Sequence, residues 1–206
     1  MKRRQFEPHY LIGLRGIPEM SDIEVSRGIR IGSGVSLASV AAHSLIQDRY
    51  PALATAAGLV SSPQLRKMGT LGGNLCVDTR CTYYNQNYPW RKSLGFCMKK
   101  DGDICWVALS SPKCLAVSSS DCAPVMTALG AEYRLLGVRG ERNIKAEEFY
   151  HDDGMDYLNK KPDEILISVN LPEMKGWTSA YLKLRRRGTI DFPVVGAAAS
   201  VQVNEE

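Results

Sequence analysis

Several features that would mark a membrane or nucleic-acid protein are missing. The 206 residues contain no apolar run near the length of about 20 residues that a membrane-spanning helix requires. No apolar stretch follows the basic residues at the start, so we expect no signal peptide and a cytoplasmic location. The net charge of +4 is spread over short clusters and forms no basic face. Neither a membrane nor a nucleic acid is therefore expected as a partner.

Catalytic constellations are missing as well. The sequence shows no nucleophile beside a base and no paired carboxylates, and His9, His43 and His151 are isolated from one another. It has no internal repeats and no low-complexity segment. We therefore assign no catalytic residue to this chain.

What the sequence does have is an uneven distribution of cysteine. All six cysteines lie between positions 76 and 122. Disulfides are rare in the reducing cytosol, and cysteines that serve as small core residues would be scattered along the chain. The clustering favours metal ligation.

The spacing within this group is unusual. Cys81, Cys97, Cys105 and Cys114 follow one another at intervals of 16, 8 and 9 residues. Neither the close pairs of a zinc ribbon nor the cysteine run of a bacterial ferredoxin is present. Thiolates are soft ligands that suit zinc and iron–sulfur clusters alike. The residues alone leave three alternatives open: cluster ligation, structural zinc and unliganded thiols.

The hydrophobic pattern predicts alternating helices and strands without a regular βαβ rhythm, which indicates the α+β class. Ser36 is the expected cap of the first helix. The segment of about 76–118 has little periodicity, which is uncommon in a domain unless a bound group orders it. The expected elements are a strand at 22–31, helices at 36–49, 52–60 and 118–130, a glycine-rich turn at 68–75, strands near 131–136, 164–171 and 180–185, a polar helical stretch between the first two of these strands, and a helix or strand near 194–203.

Four short motifs carry a resemblance to a known family. They are Gly-Thr-Leu-Gly-Gly-Asn at 69–74, Ser-Ser-Asp at 119–121, Glu-Ile-Leu-Ile-Ser at 164–168 and Tyr-Leu-Lys at 181–183. Together they resemble the FAD-binding (medium) subunit of the xanthine oxidase family of molybdenum enzymes. The resemblance implies the FAD-binding fold of the molybdenum hydroxylase flavoproteins, which is PCMH-like.

The residues between the first of these motifs, which is glycine-rich, and the second, Ser-Ser-Asp, form an insertion in that family pattern. The cysteine-bearing stretch resembles the insertion in the β subunit of 4-hydroxybenzoyl-CoA reductase, where an additional four-iron four-sulfur cluster is bound. The resemblance implies that Cys81, Cys97, Cys105 and Cys114 are the ligands. Cys76 and Cys122 flank this set and are expected to be non-ligands.

The resemblance also implies a set of FAD contacts. The backbone of the glycine pair would approach the cofactor, with side-chain hydrogen bonds from its neighbours on either side. Further contacts would come from an aspartate at a helix start, a leucine against the isoalloxazine and a lysine near the flavin ring. These residues are Thr70, Gly72, Gly73, Asn74, Asp121, Leu166 and Lys183.

The implied function is electron transfer in a molybdenum-dependent 4-hydroxybenzoyl-CoA reductase. Electrons from a ferredoxin would pass through the four-iron cluster and FAD to two-iron clusters on a small subunit and the molybdenum cofactor on a large subunit. The alternatives are the flavin subunit of another molybdenum hydroxylase and, from a different class, a zinc-stabilised interaction domain.

The expected domains are an FAD-binding domain at 1–172, with its insertion at about 76–118, and the beginning of a C-terminal flavoprotein domain at 173–206. The family's pyrophosphate-binding loop does not precede Lys2, and the C-terminal domain is only begun. We therefore expect both ends to be truncated relative to the family.

Overall fold

The computed structural model describes residues 7–202, which form two units. The unit that contains the predicted cluster ligands, here called the cysteine unit, comprises 7–13, 78–119 and 150–159. The other, here called the sheet unit, comprises 14–77, 120–149 and 160–202. Residues 173–202, where we expected a further domain to begin, are grouped with the sheet unit.

The sheet unit is built on antiparallel strands. They are β1 (Ile23–Val25), β2 (Ile29–Gly32), β3 (Glu132–Gly137), β4 (Gly140–Lys145), β5 (Ile165–Leu171), β6 (Trp177–Leu184) and β7 (Val195–Gln202). The first five form one sheet in the order β1-β2-β5-β3-β4, and the last two form a separate pair. Every pairing between these strands is antiparallel, in agreement with the α+β class.

Strand β5 is the centre of the larger sheet because it pairs with both β2 and β3. Its sequence is rich in β-branched and leucine side chains, and residues 166–169 are all buried. A mainly apolar stretch that is buried without interruption, here with Ser168 as its one polar member, is expected for a strand covered on both faces. At the edge, β4 carries exposed charged residues that discourage pairing with another chain.

Within residues 7–202 the structure has eight short α-helices. Serine, threonine and asparagine side chains cap several of them, and Ser36 accepts a hydrogen bond from the Ser39 N–H at 3.0 Å, which confirms the predicted cap. The helices are α1 (Leu37–Ala42), α2 (Ser44–Arg49), α3 (Pro51–Leu59), α4 (Pro63–Met68), α5 (Leu71–Leu75), α6 (Tyr88–Ser93), α7 (Cys122–Ala128) and α8 (Ala146–Phe149).

Two predicted elements are each divided in the structure. The single strand expected at 22–31 is the β1–β2 hairpin, whose turn includes Gly28. A Cβ at Gly28 would lie 2.1 Å from the Leu171 carbonyl oxygen, so only glycine allows this close approach. The helix expected at 36–49 is interrupted at His43, where the extended backbone ends α1 and precedes α2.

The prediction of a glycine-rich turn at 68–75 was wrong, because most of this segment is helical. It contains helix α5, which begins because Thr70 accepts a hydrogen bond from the Gly73 N–H at 3.0 Å. The polar helical stretch expected after β3 was also wrong, since it contains strand β4 and only a short helix, α8. The strands expected at 131–136, 164–171 and 180–185 are confirmed as β3, β5 and β6.

The cysteine unit has little regular structure, as the lack of periodicity indicates. Among the described residues of this unit, α6 is the only helix, and none of the strands β1 to β7 lies there. Isolated bridges join Arg80 to Val117 and Tyr150 to Leu158. Across residues 7–202, no helix has the length and apolar character needed to cross a membrane.

Replacement of Gly32 by alanine should test the packing of the 3₁₀ turn Pro18–Met20 against β2. The new Cβ would lie 2.4 Å from the Met20 carbonyl carbon and oxygen. We expect Gly32→Ala to lower the free energy of unfolding by about 1–3 kcal/mol, because backbone atoms must move to relieve the overlap. Chemical denaturation measures this value.

Gly188→Ala is the matched control, because no heavy atom lies within 4 Å of a Cβ at that exposed position. Equal stability of the two variants would contradict the close approach described at Gly32.

Candidate functional site

The sheet unit contains an open pocket with a volume of about 630 Å³. That volume lies within the range of small-molecule and cofactor sites. Its wall combines backbone from glycine-rich segments, the apolar side chain of Leu166 and three basic side chains. The basic residues are Arg15, Lys67 and Lys160.

Four of the seven residues predicted to contact FAD line this pocket. They are Thr70, Gly72, Gly73 and Leu166. Leu166 is positioned by the central strand β5, and the other three by the start of α5. The structure thus brings together the glycine-rich motif and the Glu-Ile-Leu-Ile-Ser motif, which are far apart in the sequence.

The N–H groups of the glycine pair are already used within the protein. The Gly72 N–H donates to the Ser33 carbonyl at 2.8 Å, and the Gly73 N–H donates to Thr70. A Cβ on Gly72 would lie 2.6 Å from the Ser33 Cβ, so this glycine allows two segments to pack closely. Gly73 is exposed and leaves its part of the pocket wall open.

Asn74, also predicted to contact FAD, does not line the pocket. Its Oδ1 accepts hydrogen bonds from the Ser120 hydroxyl at 2.9 Å and from the Cys122 N–H at 3.0 Å. Ser120 in turn accepts from the Ala123 N–H at 2.9 Å. Asn74 therefore joins α5 to the beginning of α7, and Ser120 provides the side-chain cap of that helix.

Asp121 and Lys183 bind each other rather than the pocket. The Lys183 Nζ lies 3.0 Å from the Asp121 Oδ2, and the two side chains are 1% and 3% exposed. Tyr181 donates a further hydrogen bond to the Asp121 Oδ1 at 2.8 Å. Burial is the larger cause, and this hydrogen bond the next, of a raised pKa at Tyr181. The Asp121 side chain makes no cap hydrogen bond, because it is turned toward β6.

Other pocket residues were missed by the motif analysis. The Ser33 side chain lines the pocket, and its buried hydroxyl has no hydrogen-bond partner among the described residues. Cys76 also lines the pocket, and burial raises the pKa of its thiol to about 11. The one sequence signal for Ser33 is its position between two glycines, in Gly32-Ser33-Gly34.

Glu164 is the one acidic residue among the described residues that line the pocket. Arg142 binds its carboxylate through two hydrogen bonds of 2.8 and 2.9 Å. These bonds lower the pKa of Glu164 to about 2. Its charge is therefore fixed over the physiological pH range, and it is already paired within the protein.

The cysteine unit contains the second site. All four predicted ligands, Cys81, Cys97, Cys105 and Cys114, line one small cavity, together with aromatic side chains and Lys99. The four are free thiols, and three of them are buried. The open volume is about 10 Å³, so binding a multi-atom group would widen the cavity.

Backbone groups and a cation act on these thiols. Burial raises the pKa of Cys105, but N–H groups of Ala108, Leu115 and Val107 outweigh it, and the net pKa lies below the ordinary value. For Cys114, burial dominates and raises the pKa, against the Ala116 N–H and the charge of Lys99. Donors directed at sulfur are typical of thiolate ligand sites.

No group of three or more His, Cys, Asp or Glu side chains within residues 7–202 is arranged to hold a single metal ion. The donor set nevertheless suits an iron–sulfur cluster, which binds soft thiolates. Cys76 and Cys122 do not line the cysteine cavity. Cys122 is instead fully buried at the start of α7.

Comparison with known proteins places the chain in one family. The pattern of the "FAD binding domain in molybdopterin dehydrogenase" matches residues 1–174. The aldehyde oxidoreductase FAD-binding subunit PaoB of Escherichia coli (strain K12) is 33% identical over 98% of this chain and 67% of its own length. The nicotinate dehydrogenase FAD-subunit of Eubacterium barkeri is 26% identical, with coverage of 97% and 55%.

A solved structure agrees in fold. Carbon monoxide dehydrogenase from Hydrogenophaga pseudoflava superposes with a TM-score of 0.71 at 24% identity, over 98% of this chain and 57% of that one. The chain belongs to the FAD-binding domain family of the molybdopterin dehydrogenases. This confirms the resemblance to FAD-binding medium subunits, while the part specific to 4-hydroxybenzoyl-CoA reductase stays a prediction. The chain spans about two thirds of PaoB and little more than half of the other relatives named.

The buried Asp121–Lys183 pair should contribute strongly to stability. Asp121→Asn leaves the Lys183 ammonium buried without its counter-charge, and we expect a loss of about 3–5 kcal/mol in the free energy of unfolding. Glu141→Gln, which breaks the exposed Arg134–Glu141 pair, is the control and should change stability little. Denaturant titration compares the two, and an equally small effect of Asp121→Asn would contradict the role assigned to the pair.

Proposed function

We propose that this chain is the electron-transfer subunit of a molybdenum enzyme, with FAD in the pocket of the sheet unit and a four-iron four-sulfur cluster in the cysteine unit. The observation that carries the proposal is the convergence of four free cysteines on one cavity in a chain of an FAD-binding family.

The pocket residues suit FAD by their chemistry. Arg15, Lys67 and Lys160 offer positive charge to a pyrophosphate, while Leu166 offers an apolar surface to the isoalloxazine. The bound flavin would supply the ability to exchange electrons singly or in pairs. The chain itself orients the cofactor and limits its exposure to water. Asn74, Asp121 and Lys183 would act indirectly, by fixing α5, α7 and β6 relative to one another.

The cysteine cavity suits a cluster for a different reason. A four-iron cluster is bound by one thiolate at each iron, so its ligands need not converge on a single point as they do around zinc. Cys81, Cys97, Cys105 and Cys114 would be those ligands. Aromatic side chains, Tyr83 and Trp106 among them, line the same cavity and would exclude water from the cluster.

In this proposal, the reaction on the substrate takes place on a partner subunit. Large molybdenum and small two-iron-cluster subunits would be the partners, with a ferredoxin as a candidate electron donor. Two substrate classes have support: the cysteine insertion favours 4-hydroxybenzoyl-CoA, and the 33% identity with PaoB favours an aldehyde. Assay of the assembled complex with aromatic acyl-CoA thioesters under reducing conditions, and with aldehydes and an electron acceptor, distinguishes them.

The cluster is tested by metal analysis after anaerobic purification. We expect about four iron and four sulfide ions per chain and a brown colour. Cys97→Ser should remove most of the iron, because one of four ligands is lost. Cys76→Ser should retain it, because Cys76 does not line the cysteine cavity. One zinc ion without colour would contradict the proposal and favour the zinc-stabilised interaction domain.

The flavin site is tested by protection of Cys76. With a thiol pKa of about 11, alkylation of Cys76 should be slow near neutral pH and accelerate as the pH rises toward that value. Bound FAD should reduce the alkylation rate severalfold at any one pH, as measured by peptide mass spectrometry. Gly73→Leu should abolish this protection by filling the pocket, whereas Gly188→Leu should preserve it. Alkylation that FAD leaves unchanged in the wild-type chain would place the cofactor elsewhere.

A further inference from the structure

Lys99 lies beside the predicted cluster ligands and is held in one position. Its side chain is only 7% exposed. The Nζ donates to three oxygens: Asp78 Oδ1 at 2.8 Å, Thr79 Oγ1 at 2.6 Å and the Gly154 carbonyl at 2.5 Å. An ammonium group has three N–H donors, so all of them are used.

Two aromatic rings complete the surroundings of this ammonium. Nζ lies 4.9 Å from the centroid of the Tyr84 ring and 5.2 Å from that of Tyr157. Both distances are typical of cation–π contacts, which favour a cation removed from water. The arrangement keeps a positive charge in the interior of the cysteine unit.

Lys99 shares the cavity lining with the four thiols. Lys99 alone carries a formal charge among the described residues that line the cysteine cavity. Its counter-ion Asp78 does not line the cavity and is 35% exposed, so water screens the carboxylate more than the ammonium. Of the two charges in this ion pair, the cavity lining therefore contains only the positive one, and its field acts on Cys114.

Four thiolate ligands give a bound cluster a net negative charge, which increases when one electron is added. A nearby fixed cation stabilises the reduced form more than the oxidised form. We propose that Lys99 is a positioning residue that raises the reduction potential of the cluster, an inference that rests on the proposed function. One electron passes from a one-electron donor, such as a reduced iron–sulfur carrier protein, to the cluster. No bond is made or broken, and no proton is transferred.

The ion pair provides two substitutions with effects of opposite sign. Lys99→Gln removes the cation and retains a hydrogen-bond donor, and it should make reduction less favourable. Asp78→Asn removes the counter-ion and leaves the Lys99 charge less compensated, so it should make reduction more favourable. Lys99→Arg retains the charge and should stay near the wild-type value.

The control is Lys100→Gln. Lys100 is the adjacent residue, pairs with Asp101 at 3.0 Å and is 38% exposed, but it does not line the cavity. Removal of this solvated charge should change the potential much less than removal of the charge of Lys99.

The experiment is a potentiometric titration of the anaerobically purified full chain, followed by electron paramagnetic resonance of the reduced cluster. We expect Lys99→Gln to weaken reduction roughly tenfold, which is a shift of about 59 mV to more negative potential for a one-electron couple. Asp78→Asn should shift the potential the opposite way. Iron content, measured on the same samples, separates a change in potential from a loss of cluster.

The outcomes separate this inference from the proposed function. A wild-type chain without iron overturns the proposed function. A wild-type chain with a cluster whose potential is the same in Lys99→Gln and Asp78→Asn overturns the inference alone. A shift in Lys99→Arg as large as that in Lys99→Gln also overturns it, because geometry rather than charge would then be responsible.

Discussion

The sheet unit depends on a chain of polar contacts that begins at Asn74. Its side-chain oxygen binds the start of α7 through Ser120 and Cys122. Asp121, which lies between Ser120 and Cys122, extends this series of contacts to β6 through its buried contacts with Tyr181 and Lys183. Because these groups are removed from water, each must keep its partner, and the contacts specify how α5, α7 and β6 meet. The pocket wall at 70–73 is placed by this arrangement.

This explains why family motifs and pocket residues coincide only partly. The family motifs predict cofactor contacts for Asn74, Asp121 and Lys183 on equal terms with Thr70 and Gly73. A short polar motif does not reveal whether its side chain faces a ligand or another motif. Here the polar members contact one another, and the pocket lining includes residues that no motif marked, such as Ser33 and Cys76. Their proximity depends on long-range packing that local sequence does not encode.

Elements with strong local signals were predictable. Ser36 specifies the start of α1, and the apolar residues of β5 specify a buried strand. Both elements were therefore expected at the positions where they occur. The β1–β2 hairpin was not expected, because the close approach of Gly28 to Leu171 depends on a strand far along the chain. The cysteine cavity was anticipated from the clustering of its residues, but Lys99 was not singled out, because its hydrogen-bond partners come from two distant segments, at Asp78–Thr79 and at Gly154.

The position of segment 78–119 along the chain has a physical reason as well. This segment leaves the sheet unit just after α5 and returns just before α7, and Asn74 binds Ser120 and Cys122 across this point. The residues that flank the segment on its two sides are therefore held together by contacts within the sheet unit. The entropy lost on closing a loop grows only slowly with its length, so a long segment between fixed, adjacent ends is tolerated. Such a segment can carry four cysteines and a buried lysine, which require a scaffold of their own, without altering the pairing of the strands that line the pocket.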